Sequence, residues 1–196
     1  QKGYQQAYRS MEAAAIDTEG EMLFYRSKVC EGVFHRISSG ATRDGLEVFG
    51  KMEKGYLLSV DSNWDMYGDG YLSGHYFSEE ALREQLEKAY PGLVFTQEPL
   101  EKQINMHKRD KVGHILSLTV GNKTISGEEF RQLLELPSSN FTMQAADRKI
   151  RFLCKGQGHG LGLSQYGGNV LAREGKSYQE ILRYYFPECE VKKEDS

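Results

Sequence analysis

The chain lacks the charge pattern of a nucleic-acid-binding protein. Its 196 residues contain 25 Lys and Arg against 28 Asp and Glu, a formal net charge of -3, and no block of like charge runs beyond a few residues. Binding to a phosphate backbone requires a basic patch or stripe. DNA and RNA are therefore not expected partners.

Long apolar runs are also missing. No stretch approaches the roughly 20 apolar residues that span a bilayer, and the first residues, QKGYQQAYRS, have no apolar region of a signal peptide. The chain does not begin with Met and is interpreted as a mature or trimmed piece. We expect no membrane segment in this chain, and any export signal or anchor to lie outside it.

Cysteine is scarce, since Cys30, Cys154 and Cys189 are odd in number, widely spaced and without a CxxC or Cys/His ligand pattern. Zinc sites and disulfide frameworks have recognisable spacings, which are absent here. The three residues are interpreted as buried or surface thiols. Cys30 and His35 would point to opposite faces of a strand, so they do not form a metal-binding pair.

Three helices have clear start and stop signals. Each follows a serine that can cap the helix N-terminus, and each ends near a proline. The capping serines are Ser78, Ser126 and Ser177, and the stop residues are Pro91, Pro137 and Pro187. Glu129 and Glu180, three residues after the second and third serines, predict capping boxes.

Strand-like runs occupy much of the remaining chain, at residues 22–25, 29–37, 56–60, 114–124 and 149–154. Within the fourth run, Gly121-Asn122 predicts a hairpin turn. The charged segment 96–111 is interpreted as a solvated connection. Strands without intervening helices favour antiparallel pairing. The prediction is one α+β domain over residues 1–196, mainly antiparallel, with about three to four helices around a substrate cleft.

The most unusual segment is GQGHGLGLSQYGG, residues 156–168, which contains six glycines. Glycine weakens regular structure, so some local requirement must favour it here. A dinucleotide-binding fingerprint is unsuitable because fewer than 35 residues follow Gly162, too few for the rest of a Rossmann unit. A hydrolase elbow is excluded because two residues separate Ser164 from Gly167, and no Asp and His follow.

Two interpretations of this segment stay open. The glycines form tight turns, or they line a cleft in which a sugar chain lies close to the backbone. Hydroxyl, amide, imidazole and aromatic groups suit the second interpretation, and they are supplied by His159, Ser164, Gln165 and Tyr166. If residues 163–174 are helical, the positive end of that helix favours a sugar carboxylate.

Residues 156–187, GQGHGLGLSQYGGNVLAREGKSYQEILRYYFP, resemble the C-terminal signature of the SpoIID/LytB family, the stage II sporulation protein D group. That signature reads G-x-G-H-G-x-G-x-S-Q-Y/W-G-A. Three upstream segments resemble the family in the same order: VFHRISSG at 33–40, GYLLSVDSNWD at 55–65 and the helix SGEEFRQLLEL. The chain is identified as a member of this family over nearly its whole length.

The resemblance implies a peptidoglycan function. Sporulation members are similar to lytic transglycosylases, which cleave MurNAc-GlcNAc strands stripped of stem peptides and leave 1,6-anhydro-MurNAc ends. They act beside a cell-wall amidase. The alternative, suggested by the LytB branch, is a noncatalytic glycan-binding module that enhances an amidase. Either implies an extracytoplasmic location, at the cell surface or forespore septum.

Site residues follow from the resemblance together with the local chemistry. The predicted substrate-binding set is His35, Ser38, Ser39, Tyr56, Asp61, His159, Ser164, Gln165 and Tyr166. The glutamate essential in the family lies on a helix of the type L-E-A-L-K-A-Q-A-V-A-A-R-T-Y, which we do not find here. We expect it upstream of Gln1, so this chain alone should be inactive. Glu12 is interpreted as solvated or structural.

No cofactor is predicted for this chain. The resemblance implies that zinc, where members bind it, would be held by residues upstream of Gln1. Ile37 and Ala41 depart from the family pattern around Ser38-Ser39-Gly40 and alter the predicted cleft. Trp64 is favoured as a core anchor over a sugar platform. The remaining histidines, His75, His107 and His114, are interpreted as ordinary surface or strand residues. We further predict that residues 156–168 face the strand ending at residues 38–40.

Overall fold

The computed structural model describes residues 2–147 and 149–193, and these contain six α-helices and eleven strands. The helices are α1 (Lys2–Asp17), α2 (Gly45–Phe49), α3 (Glu79–Ala89), α4 (Gly127–Leu133), α5 (Gln165–Arg173) and α6 (Tyr178–Tyr185). The strands are β1 (Glu21–Tyr25), β2 (Lys28–Val29), β3 (Phe34–His35), β4 (Leu72–Ser78), β5 (Ile104–Arg109), β6 (Ile115–Val120), β7 (Lys123–Ile125), β8 (Phe141–Ala146), β9 (Lys149–Lys155), β10 (Leu163–Ser164) and β11 (Glu190–Lys193).

The strands form mainly antiparallel sheets, which confirms the predicted α+β class. Three sheets have three strands each, in the orders β11-β1-β2, β4-β9-β8 and β5-β6-β7. The exception is the parallel pair β3–β10. The predicted hairpin at Gly121-Asn122 is confirmed as the β6–β7 connection. The six helices outnumber the predicted three to four. Helices α1 and α2 were not predicted, because neither lies between a capping serine and a proline.

The predicted helix starts are confirmed. The side chains of Ser78, Ser126 and Ser177 each accept a hydrogen bond from the backbone N–H three residues later. Only Ser177 has the full capping box with Glu180. The carboxylate of Glu129 instead accepts a hydrogen bond from the hydroxyl of Tyr90, so the predicted box at α4 is only half formed.

Two strand predictions are wrong. The run 29–37 is broken: it contains the end of β2, the two residues of β3 and an isolated bridge at Ile37. The run 56–60 forms no strand, because the side chain of Thr42 takes the place of a strand partner. Its hydroxyl donates to the Leu58 carbonyl and accepts from the Val60 N–H. Thr42 and Leu58 are 16 positions apart, so the local sequence of the run gives no sign of this contact.

The segment 96–111 is not a solvated connection throughout. Its second half is β5, which pairs antiparallel with β6. Ile104 at the start of β5 is buried, whereas Lys108 and Arg109 are exposed. The sequence did not predict this strand, because its exposed polar and charged side chains leave too few apolar residues to show the alternation typical of a strand.

Two hydrophobic clusters form the interior. The first lies among β4, β5, β6, β8, β9, α3 and α4, and the rings of Phe130, Phe141 and Phe152 meet at its centre, 5.3 to 5.7 Å apart. The second includes Leu171 and Tyr185 from α5 and α6. Cys154 belongs to the first cluster and Leu161 to the second, so the glycine-rich segment crosses from one to the other. In the described part of the chain, no helix has the length and apolar character needed to cross a membrane.

Candidate functional site

The first four glycines of the segment share an unusual backbone conformation. Gly156, Gly158, Gly160 and Gly162 all have φ between +68° and +105°, which L side chains rarely adopt. A Cβ atom at Gly158 would lie 2.9 Å from the Cβ of His35, and one at Gly162 would contact the carbonyl oxygen of Val33. Protein atoms, not open space, therefore adjoin these glycines. The expectation that these four leave room for a sugar chain is wrong.

Residues 156–168 do lie against the segment that ends at residues 38–40, as predicted. Ser164 pairs with His35 in the parallel β3–β10 ladder. Gln157 forms an antiparallel bridge with Ile37, and Leu161 forms a parallel bridge with Arg43. The segments 33–43 and 156–168, far apart in sequence, thus pack against each other at the junction of the two hydrophobic clusters.

His35 is buried and neutral at this junction. Its Nδ1 lies 3.0 Å from the Leu161 carbonyl, which only accepts, so Nδ1 carries the proton. Its Nε2 is buried and has no hydrogen-bond partner among the described residues. Burial lowers the pKa of His35 to about 4, because desolvation disfavours the charged imidazolium.

His159 lies beside His35 and is half-buried, with the two ring centroids 5.9 Å apart in an edge-on arrangement. Its Nδ1 accepts a hydrogen bond from the Leu161 N–H at 3.1 Å. Burial lowers the pKa of His159, although the Glu128 carboxylate and the Phe34 backbone oppose that shift. The pair therefore provides uncharged imidazoles near pH 7 rather than a general acid.

A buried ion pair supports this histidine pair. Arg43 Nε donates to an Asp110 carboxylate oxygen at 2.6 Å, and Arg43 Nη1 donates to the His159 carbonyl at 3.1 Å. The other Asp110 oxygen accepts from the His114 N–H at 2.8 Å. Sequence reasoning missed Arg43 and Asp110, which lie 67 positions apart and belong to no motif.

His114 is part of the same network, which corrects its interpretation as an ordinary residue. It is buried, and burial, followed by the Arg43 charge, lowers its pKa well below the usual value. Its Nδ1 lies 2.9 Å from the Ser139 hydroxyl, and its Nε2 lies 3.4 Å from the Ser39 hydroxyl. Ser39 thereby connects the predicted site to this buried network.

Besides His35, three further predicted site residues are almost completely buried: Ser38, Ser164 and Tyr56. The Ser38 N–H donates to the Asp65 carboxylate at 2.7 Å, and Ser164 caps α5. The Tyr56 hydroxyl donates to a backbone carbonyl at 3.0 Å. Their substrate-binding role stays a prediction. These contacts give each of the three residues a structural role in the protein interior, and the hydrogen bond of Nδ1 gives His35 one as well.

Five predicted residues remain accessible: Gln165 and Asp61 are exposed, whereas Ser39, His159 and Tyr166 are half-buried. Gln165 and Tyr166 open α5, and the Tyr166 N–H donates to the Arg36 carbonyl at 3.0 Å. The backbone carbonyl of Asp61 accepts a hydrogen bond from the Tyr184 hydroxyl at 2.7 Å. The side-chain carboxylate of Asp61 takes no part in this bond.

The beginning of α5 is fixed by a polar cage around Gly167. A Cβ atom there would lie 2.6 Å from the Ser62 hydroxyl and would also collide with the Tyr185 hydroxyl and the Trp64 indole nitrogen. The Ser62 and Tyr185 hydroxyls are hydrogen-bonded at 2.9 Å. Trp64 packs against the second core, as expected for a core anchor. Gly167 is thus required by packing.

A cavity of about 410 Å³ opens next to His159. Its walls are largely apolar and include Val33, Leu57, Ile115 and Leu161, together with the charged side chains of Arg43 and Glu128. Burial acts to raise the pKa of Glu128, but hydrogen bonding to Arg131 lowers it overall. One Glu128 oxygen is buried and has no partner among the described residues. A mainly apolar cavity with a few convergent polar groups is typical of a binding site.

Within residues 2–147 and 149–193, no group of three or more His, Cys, Asp or Glu side chains is arranged to hold a metal ion. The expectation about zinc concerns residues outside this chain. It therefore stays a prediction.

Comparison with known proteins finds similarity to sporulation proteins. It is 30% identical over 202 residues to stage II sporulation protein D of Bacillus amyloliquefaciens, covering 98% of this chain and 54% of that protein. It is 27% identical over 194 residues to stage II sporulation protein D of Bacillus subtilis, with the same coverage. The chain thus spans about half the length of these relatives.

The chain is also similar, over a short stretch, to an amidase enhancer. A 50-residue stretch, 26% of this chain and 7% of the relative, is 42% identical to the amidase enhancer of Bacillus subtilis. No protein-family model matches the chain. The similarity to stage II sporulation protein D nevertheless extends over nearly all 196 residues and includes the glycine-rich junction. The chain belongs to the stage II sporulation protein D family, the SpoIID/LytB family.

Proposed function

We propose that this chain forms the glycan-binding part of a lytic transglycosylase that cleaves denuded peptidoglycan strands at MurNAc-GlcNAc bonds. The observation that carries the proposal is the junction of residues 33–43 with residues 156–168. There, half-buried His159 and Tyr166 and exposed Gln165 lie close to this backbone contact, beside a cavity lined in part by Arg43 and Glu128. Family membership supplies the substrate class.

The exposed chemistry suits a hydroxyl-rich polymer. A neutral imidazole and a side-chain amide hydrogen-bond to hydroxyl groups, and a tyrosine ring packs against a sugar face. The N-terminus of α5 has the positive end of the helix dipole beside Gln165. That end favours the lactyl carboxylate of MurNAc. In this proposal His35, Ser38, Ser164 and Tyr56 position the binding groups from beneath.

Bond cleavage requires one further group. In the proposed reaction a carboxylic acid protonates the glycosidic oxygen, and as a carboxylate it then accepts the proton of the C6 hydroxyl that attacks C1. Glu12 lies on the exposed helix α1, away from either core. We propose that the acid is the family's helical glutamate, supplied by the intact protein outside this chain.

A binding titration tests the role of this chain. We expect it to bind denuded glycan strands without releasing anhydro-sugar products. Gln165→Ala should weaken binding about 5- to 100-fold, the cost of an unpaired polar partner, and Tyr166→Ala should weaken it by removing the ring that packs against a sugar face. Gln6→Ala and Tyr8→Ala, on exposed α1, are the matched controls. Unchanged binding by both folded site variants would reject the glycan site. Product release by this chain would show that its acid lies within residues 1–196.

The second candidate is a noncatalytic glycan-binding module that stimulates a cell-wall amidase, favoured by the 50-residue match to the amidase enhancer. Incubating the intact protein with denuded strands, and in parallel with peptide-bearing peptidoglycan and an added amidase, separates the two. Anhydro-MurNAc ends detected by mass spectrometry support the transglycosylase. Stimulated release of stem peptides by an added amidase, without anhydro ends, supports the module. Both candidates place the protein outside the cytoplasm.

A further inference from the structure

Two of the three cysteines meet in the folded chain. The sulfur atoms of Cys30 and Cys189 are 3.7 Å apart, although the residues are 159 positions apart in sequence. The Cys30 N–H donates to the Leu23 carbonyl of β1, and Cys189 directly precedes β11, which pairs with the other edge of β1. Both thiols are therefore held by the β11-β1-β2 sheet.

The two thiols differ in access. Cys189 is buried in the second hydrophobic cluster, whereas Cys30 is half-buried and lines an open cavity of about 280 Å³ together with Tyr25 and Lys28. A small disulfide in solution can therefore reach the sulfur of Cys30 first. Cys154 is fully buried in the other cluster and serves as an internal reference.

We propose that Cys30 and Cys189 are a disulfide-forming pair that links the segment after β2 to the start of β11. Forming the bond shortens the sulfur–sulfur distance from 3.7 Å to about 2.05 Å. Rotation of the two side chains with a small adjustment of the short β2 and β11 ends supplies this change. The proposal does not depend on the glycan-binding function.

The oxidation proceeds by thiol–disulfide exchange. The Cys30 thiolate attacks one sulfur of a low-molecular-weight disulfide, forming a mixed disulfide and releasing one thiolate. The Cys189 thiolate then attacks the Cys30 sulfur and releases the second thiolate. The two cysteines lose two protons and two electrons, and the disulfide is reduced to two thiols.

The environment sets the expected pH dependence. Burial raises the pKa of the Cys30 thiol, partly opposed by its contact with Cys189 and by the Lys54 charge. Burial, followed by the proximity of Cys30, raises the pKa of Cys189 to about 12. Since the thiolate is the nucleophile, the exchange should accelerate as the pH rises.

The link would hold the C-terminal part of the chain. Cys189 follows α6, whose Tyr184 and Tyr185 hydroxyls contact the Asp61 carbonyl and the Ser62 hydroxyl. A covalent bond at this point joins the last strand to the rest of the second core. Cross-links that close long loops restrict the unfolded chain most strongly.

Incubating the folded 196-residue chain with a mixture of oxidised and reduced glutathione tests the proposal. We expect the protein mass to decrease by two hydrogen atoms, and a non-reducing digest to contain a peptide pair joined through Cys30 and Cys189. The melting temperature should rise by about 5 to 10 °C on oxidation and return on reduction.

Single substitutions complete the test. Cys154→Ala should still form the link, whereas Cys30→Ser and Cys189→Ser should not, and their melting temperatures should not respond to the oxidant. Two results would overturn the proposal. One is wild-type protein that stops at a glutathione adduct on Cys30 with no cross-linked peptide, and the other is a cross-link through Cys154.

Discussion

Gly167 and Gly168 are adjacent in α5, but only the first is enclosed by other side chains. A Cβ atom at Gly168 meets nothing closer than 3.5 Å, whereas one at Gly167 collides with the cage formed by Ser62, Trp64 and Tyr185. Helix propensity favours alanine over glycine by about 1 kcal/mol at both positions. Steric conflict therefore determines how differently an alanine at position 167 and one at position 168 affect stability.

We expect Gly167→Ala to lower the free energy of unfolding by about 2–4 kcal/mol, since overpacking adds strain to a well-filled site. Gly168→Ala should leave it unchanged or raise it by up to about 1 kcal/mol. Urea unfolding of both variants and the wild type measures this. Equal effects of the two substitutions would mean that the cage adjusts without cost.

His35 makes the stability depend on pH. Burial lowers its pKa in the folded protein to about 4, below the ordinary histidine pKa of about 6.5, so the unfolded chain binds a proton more readily. Stability is then greatest above about pH 6.5 and decreases as the pH falls towards about 4, by at most about 3 kcal/mol from this residue. The buried His114 adds to the same trend.

Urea unfolding across that pH range should show the decrease, and His35→Gln should make the dependence shallower. His107→Gln, on the exposed side of β5, is the control for loss of a histidine. In addition, the imidazole signals of His35 should titrate near pH 4 in nuclear magnetic resonance spectra. Titration at the ordinary histidine pKa would contradict the burial of this ring.

Helix α6 shows what local sequence contributes at the scale of one element. Its capping box is complete: the Ser177 hydroxyl accepts from the Glu180 N–H, and the Glu180 carboxylate accepts from the Ser177 N–H at 2.8 Å. The helix carries Tyr184 and Tyr185, which hold the residues around Asp61 and Ser62. The cap therefore also stabilises a helix that contacts the candidate site.

Ser177→Ala should lower the free energy of unfolding by about 1 kcal/mol, because it removes the acceptor of the cap. Ser177→Gly should lower the free energy of unfolding by only about a few tenths of a kcal/mol, since glycine is tolerated at a helix N-cap. Ser59→Ala, at an exposed loop position, controls for the loss of a hydroxyl. Calorimetry of the three variants checks the ranking, and an equal loss for alanine and glycine would argue against the cap.

At the scale of the whole molecule, the two hydrophobic clusters are joined by polar contacts. Arg43 reaches Asp110, and the Gly158 N–H donates to the Pro137 carbonyl at 2.8 Å. These bonds connect the segments that contribute to the candidate site with the sheets of the first cluster. Loss of one cluster should therefore weaken the other.

Phe152→Ala removes a ring from the centre of the first cluster and should cost about 3–5 kcal/mol. Hydrogen exchange should then accelerate in α5 and α6 as well as in the neighbouring strands. Tyr76→Ala, on the exposed face of the same sheet, is the control. Accelerated exchange confined to the first cluster would show that the two cores unfold independently.

Local sequence patterns predicted the capped helices, the hairpin at Gly121-Asn122 and the region of the candidate site. Caps and tight turns depend on residues only a few positions apart, so their signals are visible in a single sequence. The charged β5 and the Thr42-supported segment 56–60 were not predictable in this way. Their conformations depend on partners in distant segments.

The sequence by itself showed that residues 156–168 are unusually rich in glycine and supplied their polar groups. Only the tertiary structure decided which of those groups face solvent: Gln165 remains exposed, whereas Ser164 beside it is buried as a helix cap. It also assembled the Arg43–Asp110 ion pair and the Cys30–Cys189 contact. Burial and long-range pairing depend on how the whole chain packs, and residues 67 or 159 positions apart leave no local pattern that marks them as neighbours.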